Sequence, residues 1–322
     1  MLAALTITLL LSATLSWWLA HARGRWQALD TPNDRSLHTQ PTPRTGGAAM
    51  LIGATSGLVT LWLWQGYAVV GWQFYTAVMA LALIALADDH HALGAGLRLM
   101  VQIGVVALLL LHYRTPGMGM PLAVITLLFL IWMINLYNFM DGMDGFAAGM
   151  AIFGFGTFAI LGWLAGQQEF ALGCAIVVAA GAGFLLLNFP PARLFMGDIG
   201  STVLGLLAGI TILQSHINGL LPVWLGILVF SPFIVDASVT IAIRILRGEQ
   251  FWKPHKTHFY QRLVQAGWGH RRTVLAEYLL MFACSGSALI GANLPLSSQV
   301  LIIALWTLLY SAMIGRVHRR AE

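Results

Sequence analysis

Charge is what this chain has least of. Only 9% of its 322 residues are Asp, Glu, Lys or Arg, where soluble globular domains carry about 25%. Together with 58% hydrophobic residues and a mean hydropathy of +0.79, that shortage excludes a soluble globule. Cysteine is nearly absent as well. Cys174 and Cys284 fall inside apolar runs and lack metal-ligand spacing, which leaves them as buried apolar residues. No strand pattern precedes Gly149, Gly154 and Gly156, so these glycines mark helix packing and a dinucleotide-binding fold is excluded. No basic-aromatic surface module is present, so the net charge of +5 does not point to nucleic acid; it reads as a membrane-insertion signal with affinity for anionic head groups or phosphates. No basic residue precedes the first apolar run, and Arg23 and Arg25 follow it. Ala20-His21-Ala22 therefore reads as the end of an uncleaved span with its N-terminus outside.

In place of charge the chain has long apolar runs, at 2–21, 46–65, 70–87, 98–113, 120–137, 146–165, 170–188, 199–215, 220–244, 273–293 and 298–315. A helix crosses a bilayer with about 17 to 25 such residues. The pattern predicts an all-α, polytopic integral membrane protein, one domain over residues 1–322, with about 11 transmembrane helices, or 10 if one run is re-entrant. The run at 220–244 contains Pro222 and Pro232 and is expected to be kinked or broken. Lys and Arg accumulate in cytoplasmic loops. Placing the loop after the first run in the cytoplasm puts sixteen of the seventeen Lys and Arg there, with Arg114 alone outside. Eleven of the twelve acids go with them, Glu169 excepted. The positive-inside rule does not govern acids, so their bias predicts an active site on the cytoplasmic side.

The chain is organised around Asn135, Asn138, Asp141 and Asp144, which recur every third residue between two apolar runs and on a helix would share one side. Two carboxylates and two carboxamides at the edge of a hydrocarbon slab are costly unless a cation or a polar substrate satisfies them. A helix cap accounts for one or two of the four. Asp88-Asp89 ends the third run, and adjacent carboxylates call for a metal, a Lys or Arg, or a proton-transfer role. His90 and His91 have no Cys or Glu at helical spacing to complete a zinc site. In the first loop, Arg35, His38 and Arg44 either contact phosphate or serve as positive-inside charges, while Gly46 and Gly47 allow close backbone approach. Asp198 opens the eighth run between glycines, as a functional carboxylate or an N-cap. Asp236 is an intramembrane carboxylate, functional by default unless Arg244 or a loop cation pairs with it. The largest loop then brings Lys253, His255, Lys256, His258, Arg262 and His270.

Magnesium takes one or two carboxylates, waters and phosphate oxygens. Asp88, Asp89, Asp141, Asp144 and Asp198 supply carboxylates on one face and the loop at 253–262 supplies cations. Phosphoryl transfer needs that combination, because its catalysis is mainly positioning and charge neutralisation. A metal-activated transfer between a soluble phosphate compound and a lipid phosphate follows.

Four motifs in order then show a resemblance: Asp88-Asp89, Asn135-x-x-Asn138-Phe139-Met140-Asp141-Gly142-x-Asp144-Gly145, Phe195-Met196-Gly197-Asp198-x-Gly200-Ser201, and His255-x-x-His258-x-Tyr260-Gln261-Arg262-Leu263. The chain resembles the polyprenyl-phosphate N-acetylhexosamine-1-phosphate transferases, which begin O-antigen, enterobacterial common antigen, teichoic acid and peptidoglycan lipid intermediates. The resemblance implies transfer of a sugar-1-phosphate from a UDP-N-acetylhexosamine to undecaprenyl phosphate in the bacterial inner membrane, with release of UMP. It implies Mg2+ as cofactor, with Mn2+ as the alternative. By the same resemblance Asp198, with Asp144, holds the metal, Asp88 deprotonates or orients the lipid phosphate, and Asp89 assists. Asn138, Asp141, Asp144, Asn188, His255, His258 and Arg262 bind substrate, the two histidines at the pyrophosphate. The partners implied are that donor, that acceptor and membrane lipid, with a homodimer left open and no nucleic acid.

Peptidoglycan enzymes of this family carry three consecutive histidines where this chain reads His255-Lys256-Thr257-His258, which argues against a muramyl-pentapeptide substrate. The pattern Asp30-x-Pro32-Asn33-x-Arg35-Ser36-x-His38 and the run Tyr260-Gln261-Arg262-Leu263 look like the O-antigen-initiating branch, whose sugars include GlcNAc, FucNAc and QuiNAc. The rival reading is a secondary transporter, which would place acids near the midplane and show inverted repeats. Topology supplies a test. Single cysteines at positions 90, 192 and 256, in a chain lacking Cys174 and Cys284, should react with an impermeant thiol reagent only from the cytoplasmic side, and one at 117 only from outside. Labelling of position 256 in intact cells would break the assignment.

Overall fold

The computed structural model describes residues 1–22, 28–32, 37, 40–67, 71–91, 93–112, 119–250 and 255–321, and the side chains of these except 72, 89–91 and 318–321. Arg23, Arg25, Arg35, His38, Arg114 and Lys253 thus lie outside the described residues, as do the side chains of Asp89, His90 and His91. The chain is α-helical almost throughout. In order it forms α1 (Leu2–His21), the two-residue strands β1 (Leu29–Asp30) and β2 (Thr42–Pro43), α2 (Gly46–Gln65), α3 (Trp72–His91), α4 (Ala95–His112), α5 (Met120–Phe139), α6 (Phe146–Leu164) and α7 (Gln168–Asn188). Then come α8 (Gly197–Ile217), α9 (Val223–Val229), α10 (Ser231–Leu246), the short α11 (Phe259–Leu263), a π-helical turn, α12 (Gly269–Gly291) and α13 (Leu296–Ala321).

Each of the eleven apolar runs contains a helix, and the spans reach the lower of the two expected numbers when the broken run is counted as one. Among the described residues nine helices are long and apolar enough to cross a membrane, ten if α9 and α10 count as one, while the third run is represented by a shorter apolar helix, Gln73–Asp88. The expected break in the run at 220–244 is there: α9 and α10 meet at 87°. Proline causes it, since Pro232 in the first turn of α10 has no N–H to continue the ladder of α9. Ser231 occupies the corner, its hydroxyl donating to the Leu228 carbonyl at 2.7 Å and lying 2.7 Å from the Tyr310 hydroxyl on α13. Polar side chains of this kind satisfy backbone groups that a broken helix frees inside a membrane.

The interior is built of aromatic rings against small residues. Phe146, Phe155 and Phe158 on α6 are buried with Phe184, Phe230 and Phe233. Gly149 lies against the Tyr278 ring and Gly154 against Phe230, the packing role expected of them. Cys174 and Cys284 are free and buried, as read. Along α1, Ser12 donates to the Ala180 carbonyl of α7 at 2.7 Å, a contact permitted by the small residues Gly53 and Gly183 on the helices facing it.

One end of the bundle is fastened by backbone hydrogen bonds between loops. β1 pairs antiparallel with β2, Phe195 donates to the Pro43 carbonyl at 2.7 Å, and Gly46 and Gly47 donate to Phe195 and Met196 at 2.9 and 2.8 Å. The last two bonds need the start of α2 to touch the start of α8 backbone to backbone. A methyl at Gly47 would run into the main chain of Gly200. Overpacking of a rigid contact costs about 1–3 kcal/mol. Gly47→Ala should therefore lower the thermal unfolding midpoint of the purified protein, while Gly104→Ala, whose new methyl meets nothing within 4 Å, should leave it in place.

Candidate functional site

The polar ladder does not run on one helix. α5 stops at Phe139, and Asp141 and Asp144 lie in the turn that leads into α6. Asn135 faces elsewhere, its amide donating to Gln102 Oε1 on α4 at 2.7 Å and to the Ile131 carbonyl at 2.8 Å. The turn closes through Gly145, whose φ of +74° suits glycine. It folds Asn138, Asp141 and Asp144 around a cavity of about 180 Å³, which Asp198 and Gly197 line from the start of α8. Gly197, at φ +72°, is likewise in the left-handed region, and its amide donates to the Asp141 carboxylate.

Asp141 and Asp198 are the electrostatic centre. Burial first, and the nearby Asp198 second, push the Asp141 carboxyl well above the usual carboxylate range. Asp198 receives the Asn138 amide, and Arg98 on α4 reaches it at 3.6 Å. The same Arg98 nitrogen lies 2.8 Å from Asp88 Oδ2, so one guanidinium ties the end of α3 to the start of α8. Arg98 thereby gives Asp88 the Arg that was one of the three outcomes expected for its carboxylate. Among the described residues no three His, Cys, Asp or Glu side chains converge as a metal-binding group. Mg2+ does not require such a cage, since it takes one or two carboxylates with waters and phosphate oxygens. Two mutually repelling carboxylates that line one cavity fit that demand, and a cation shared with phosphate would relieve the repulsion that raises Asp141.

Asp144 lines the same cavity but is held by protein. Its Oδ2 accepts the Ala192 N–H at 3.0 Å, and its Oδ1 lies 3.0 Å from His270 Nδ1. Asn188 also contributes to the wall, yet both ends of its amide are engaged: Oδ1 accepts from Gly145 at 2.9 Å and Nδ2 donates to Leu194 at 2.9 Å. It splices the turn after α5 to the turn after α7.

The histidine segment is placed differently. Arg244 reaches Glu249 at 2.9 Å, and Asp236 is taken up elsewhere. It is the anchor of α11, accepting from the amides of Phe259 and Tyr260 at 3.0 Å each and from Thr240 at 3.2 Å, with His258 Nδ1 at 3.0 Å. An acid at a helix N-terminus is favourable, and this one also holds the imidazole. His255, His258 and Arg262 are not in the cavity wall; Tyr260 and Gln261 are. Arg262 folds back to donate to the Thr257 carbonyl at 2.9 Å. Burial, followed by His258 and Arg244, lowers the His255 pKa to about 4, so its ring is neutral at physiological pH. His270 was named in the sequence without a role and Arg98 merely opens the fourth apolar run, and only their three-dimensional partners reveal what they do. Asp30 and Arg44 from the first loop complete the wall.

An apolar helical bundle whose one end closes around acids and cations describes a membrane enzyme that handles phosphate. Residues 72–216 match the model of the family described as Glycosyl transferase family 4, a stretch that contains Asp88, the turn after α5 and Asp198. The chain is 30% identical over 295 residues, 86% of its length and 81% of the relative's, to a probable undecaprenyl-phosphate N-acetylglucosaminyl 1-phosphate transferase of Bacillus subtilis. It is 27% identical, over 91% of its length and 86% of the relative's, to an undecaprenyl-phosphate alpha-N-acetylglucosaminyl 1-phosphate transferase of Yersinia pestis. It is 28% identical, over 76% and 82%, to a phospho-N-acetylmuramoyl-pentapeptide-transferase of Geobacillus thermodenitrificans. The chain belongs to the polyprenyl-phosphate N-acetylhexosamine-1-phosphate transferase family. It is therefore a membrane transferase, and the transporter reading falls away.

The anchoring of α11 can be measured. Asp236→Asn would set an amide donor against backbone donors, and leaving a buried donor unsatisfied costs about 1–3 kcal/mol. Its unfolding midpoint should fall clearly below that of Thr240→Val, which removes only the longest of the four contacts.

Proposed function

We propose that the protein transfers an N-acetylated amino-sugar 1-phosphate from a UDP-sugar to undecaprenyl phosphate, releasing UMP, as the first membrane step of an O-antigen or a related cell-surface polysaccharide. The site faces the cytoplasm from the bacterial inner membrane. The observation that carries this reading is the meeting of Asp141, Asp144 and Asp198 in one cavity, with Arg98 joining Asp198 to Asp88 beside it. The O-antigen branch rests on the first-loop pattern and on Tyr260 and Gln261, two residues of that branch's run that stand in the cavity wall.

The acceptor brings its own nucleophile. A phosphate monoester has a second pKa near about 6 and is mostly a dianion at neutral pH. One of its oxygens forms a bond to the sugar-bearing phosphorus, while the bond from that phosphorus to the bridging oxygen breaks and the electron pair leaves with UMP. Asp88 aligns the lipid phosphate or takes its residual proton, and Arg98 lowers the repulsion between the approaching anions. Mg2+, held by Asp198 with Asp141 beside it, would neutralise charge on the non-bridging phosphate oxygens. Asp144, committed to Ala192 and His270, shapes the wall next to it. An aspartate nucleophile would have to overcome anionic repulsion twice, so direct displacement is preferred to a covalent intermediate.

Incubation with undecaprenyl phosphate, Mg2+ and a panel of UDP-sugars, with UMP measured, tests the reaction. Asp198→Asn should abolish turnover in a protein that still inserts and folds, and near-normal rates would sink the assignment. In the absence of lipid, labelled UMP should not exchange into UDP-sugar; robust exchange would show a covalent intermediate instead.

A further inference from the structure

His270 stands in the first turn of α12 and lines the cavity, although it belongs to none of the four motifs. Its Nδ1 lies 3.0 Å from Asp144 Oδ1, and its Nε2 lies 3.3 Å from the Leu37 carbonyl of the first loop. Nε2 thus faces a carbonyl oxygen, and Nδ1 lies closer to the carboxylate than to the Asp144 backbone N–H, which is 3.4 Å from it. Both members are shielded, with side-chain exposures of 18% for His270 and 11% for Asp144. The other carboxylate oxygen is fixed by the Ala192 amide at 3.0 Å. Three stretches of chain thus meet on one carboxylate, the turn after α5, the turn after α7 and the start of α12, and the first loop meets the imidazole behind it. A carboxylate gripped at both oxygens is fixed in orientation yet keeps acceptor capacity, and this one lines the cavity.

We propose that His270 is a positioning residue for the transfer reaction, fixing the Asp144 carboxylate as a hydrogen-bond acceptor against the nucleotide-sugar donor. The proposal rests on the reaction assigned above. His270 acts through Asp144 and stands apart from the Arg98–Asp88 pair on the α3–α4 side. Its loss should therefore be felt by the molecule that fills the cavity and not by the lipid acceptor.

The test is a double-mutant cycle read in the steady-state assay with UDP-sugar and undecaprenyl phosphate varied separately. Hydrogen bonds to charged groups are worth enough that His270→Ala should raise the KM for UDP-sugar about tenfold or more. The KM for undecaprenyl phosphate should stay within about twofold, the ordinary scatter of a site that an interaction does not reach. His270→Gln, whose amide can still donate to Asp144, should recover part of the loss. In an Asp144→Asn background, His270→Ala should add little. An equal penalty in both backgrounds, or a KM change confined to undecaprenyl phosphate, would overturn the proposal. Should wild type release no UMP from any UDP-sugar, the assigned reaction fails and this role falls with it; non-additive unfolding midpoints of the same four proteins would then still report the contact itself.

Discussion

A carboxylate at the end of an apolar bundle is tolerable only to the extent that donors are aimed at it, and the acids of this protein differ chiefly in how far that demand is met. Asp236 is met fully, by two backbone amides, a threonine hydroxyl and an imidazole. Asp144 is met at both oxygens. Asp88 and Asp198 share one guanidinium. Asp141 receives the Gly197 amide, but burial and then the field of Asp198 hold its carboxyl above the usual range. Asp236 and Asp144 are held in place by the fold, and Asp141 and Asp198, which raise one another's cost, line the cavity together.

The backbone makes this arrangement possible. Gly47 against Gly200 lets α2 and α8 meet without side chains between them, and the bonds from Phe195, Gly46 and Gly47 then hold the turn before α8 beneath the first loop. With that turn fixed, Gly197 can direct its amide at Asp141.

The helices were legible in the sequence because hydrocarbon-length apolar runs admit one economical structure, and the prolines at 222 and 232 marked the broken run. The acids of the cavity were legible because charge is so rare in this chain that each cluster of it demanded an explanation. What could not be read was pairing. The spacing of Asn135 with Asn138 looked like one ladder, but the helix ends at Phe139, and Asn135 meets Gln102, thirty-three residues away. Arg98, at the head of the fourth run, gives no sign of its role, because its partner Asp198 is a hundred residues away. The partner of His258 Nδ1, Asp236 on another helix, was equally hidden from the sequence. Composition and periodicity report on a residue's immediate neighbours, and these bonds join residues that only the assembled bundle brings together.

The corner between α9 and α10 has a consequence for biosynthesis. Ser231, at the break, lies 2.7 Å from the hydroxyl of Tyr310, which belongs to the last helix and is separated from it by seventy-nine residues. A ribosome that has just delivered the broken run to the membrane has not yet made the residue that completes its corner. That run must wait, half-satisfied, through the synthesis of α11 and α12, and the corner is completed only when α13 arrives. The helix α13 is therefore more than a peripheral addition: it carries the hydroxyl that closes a corner made long before it.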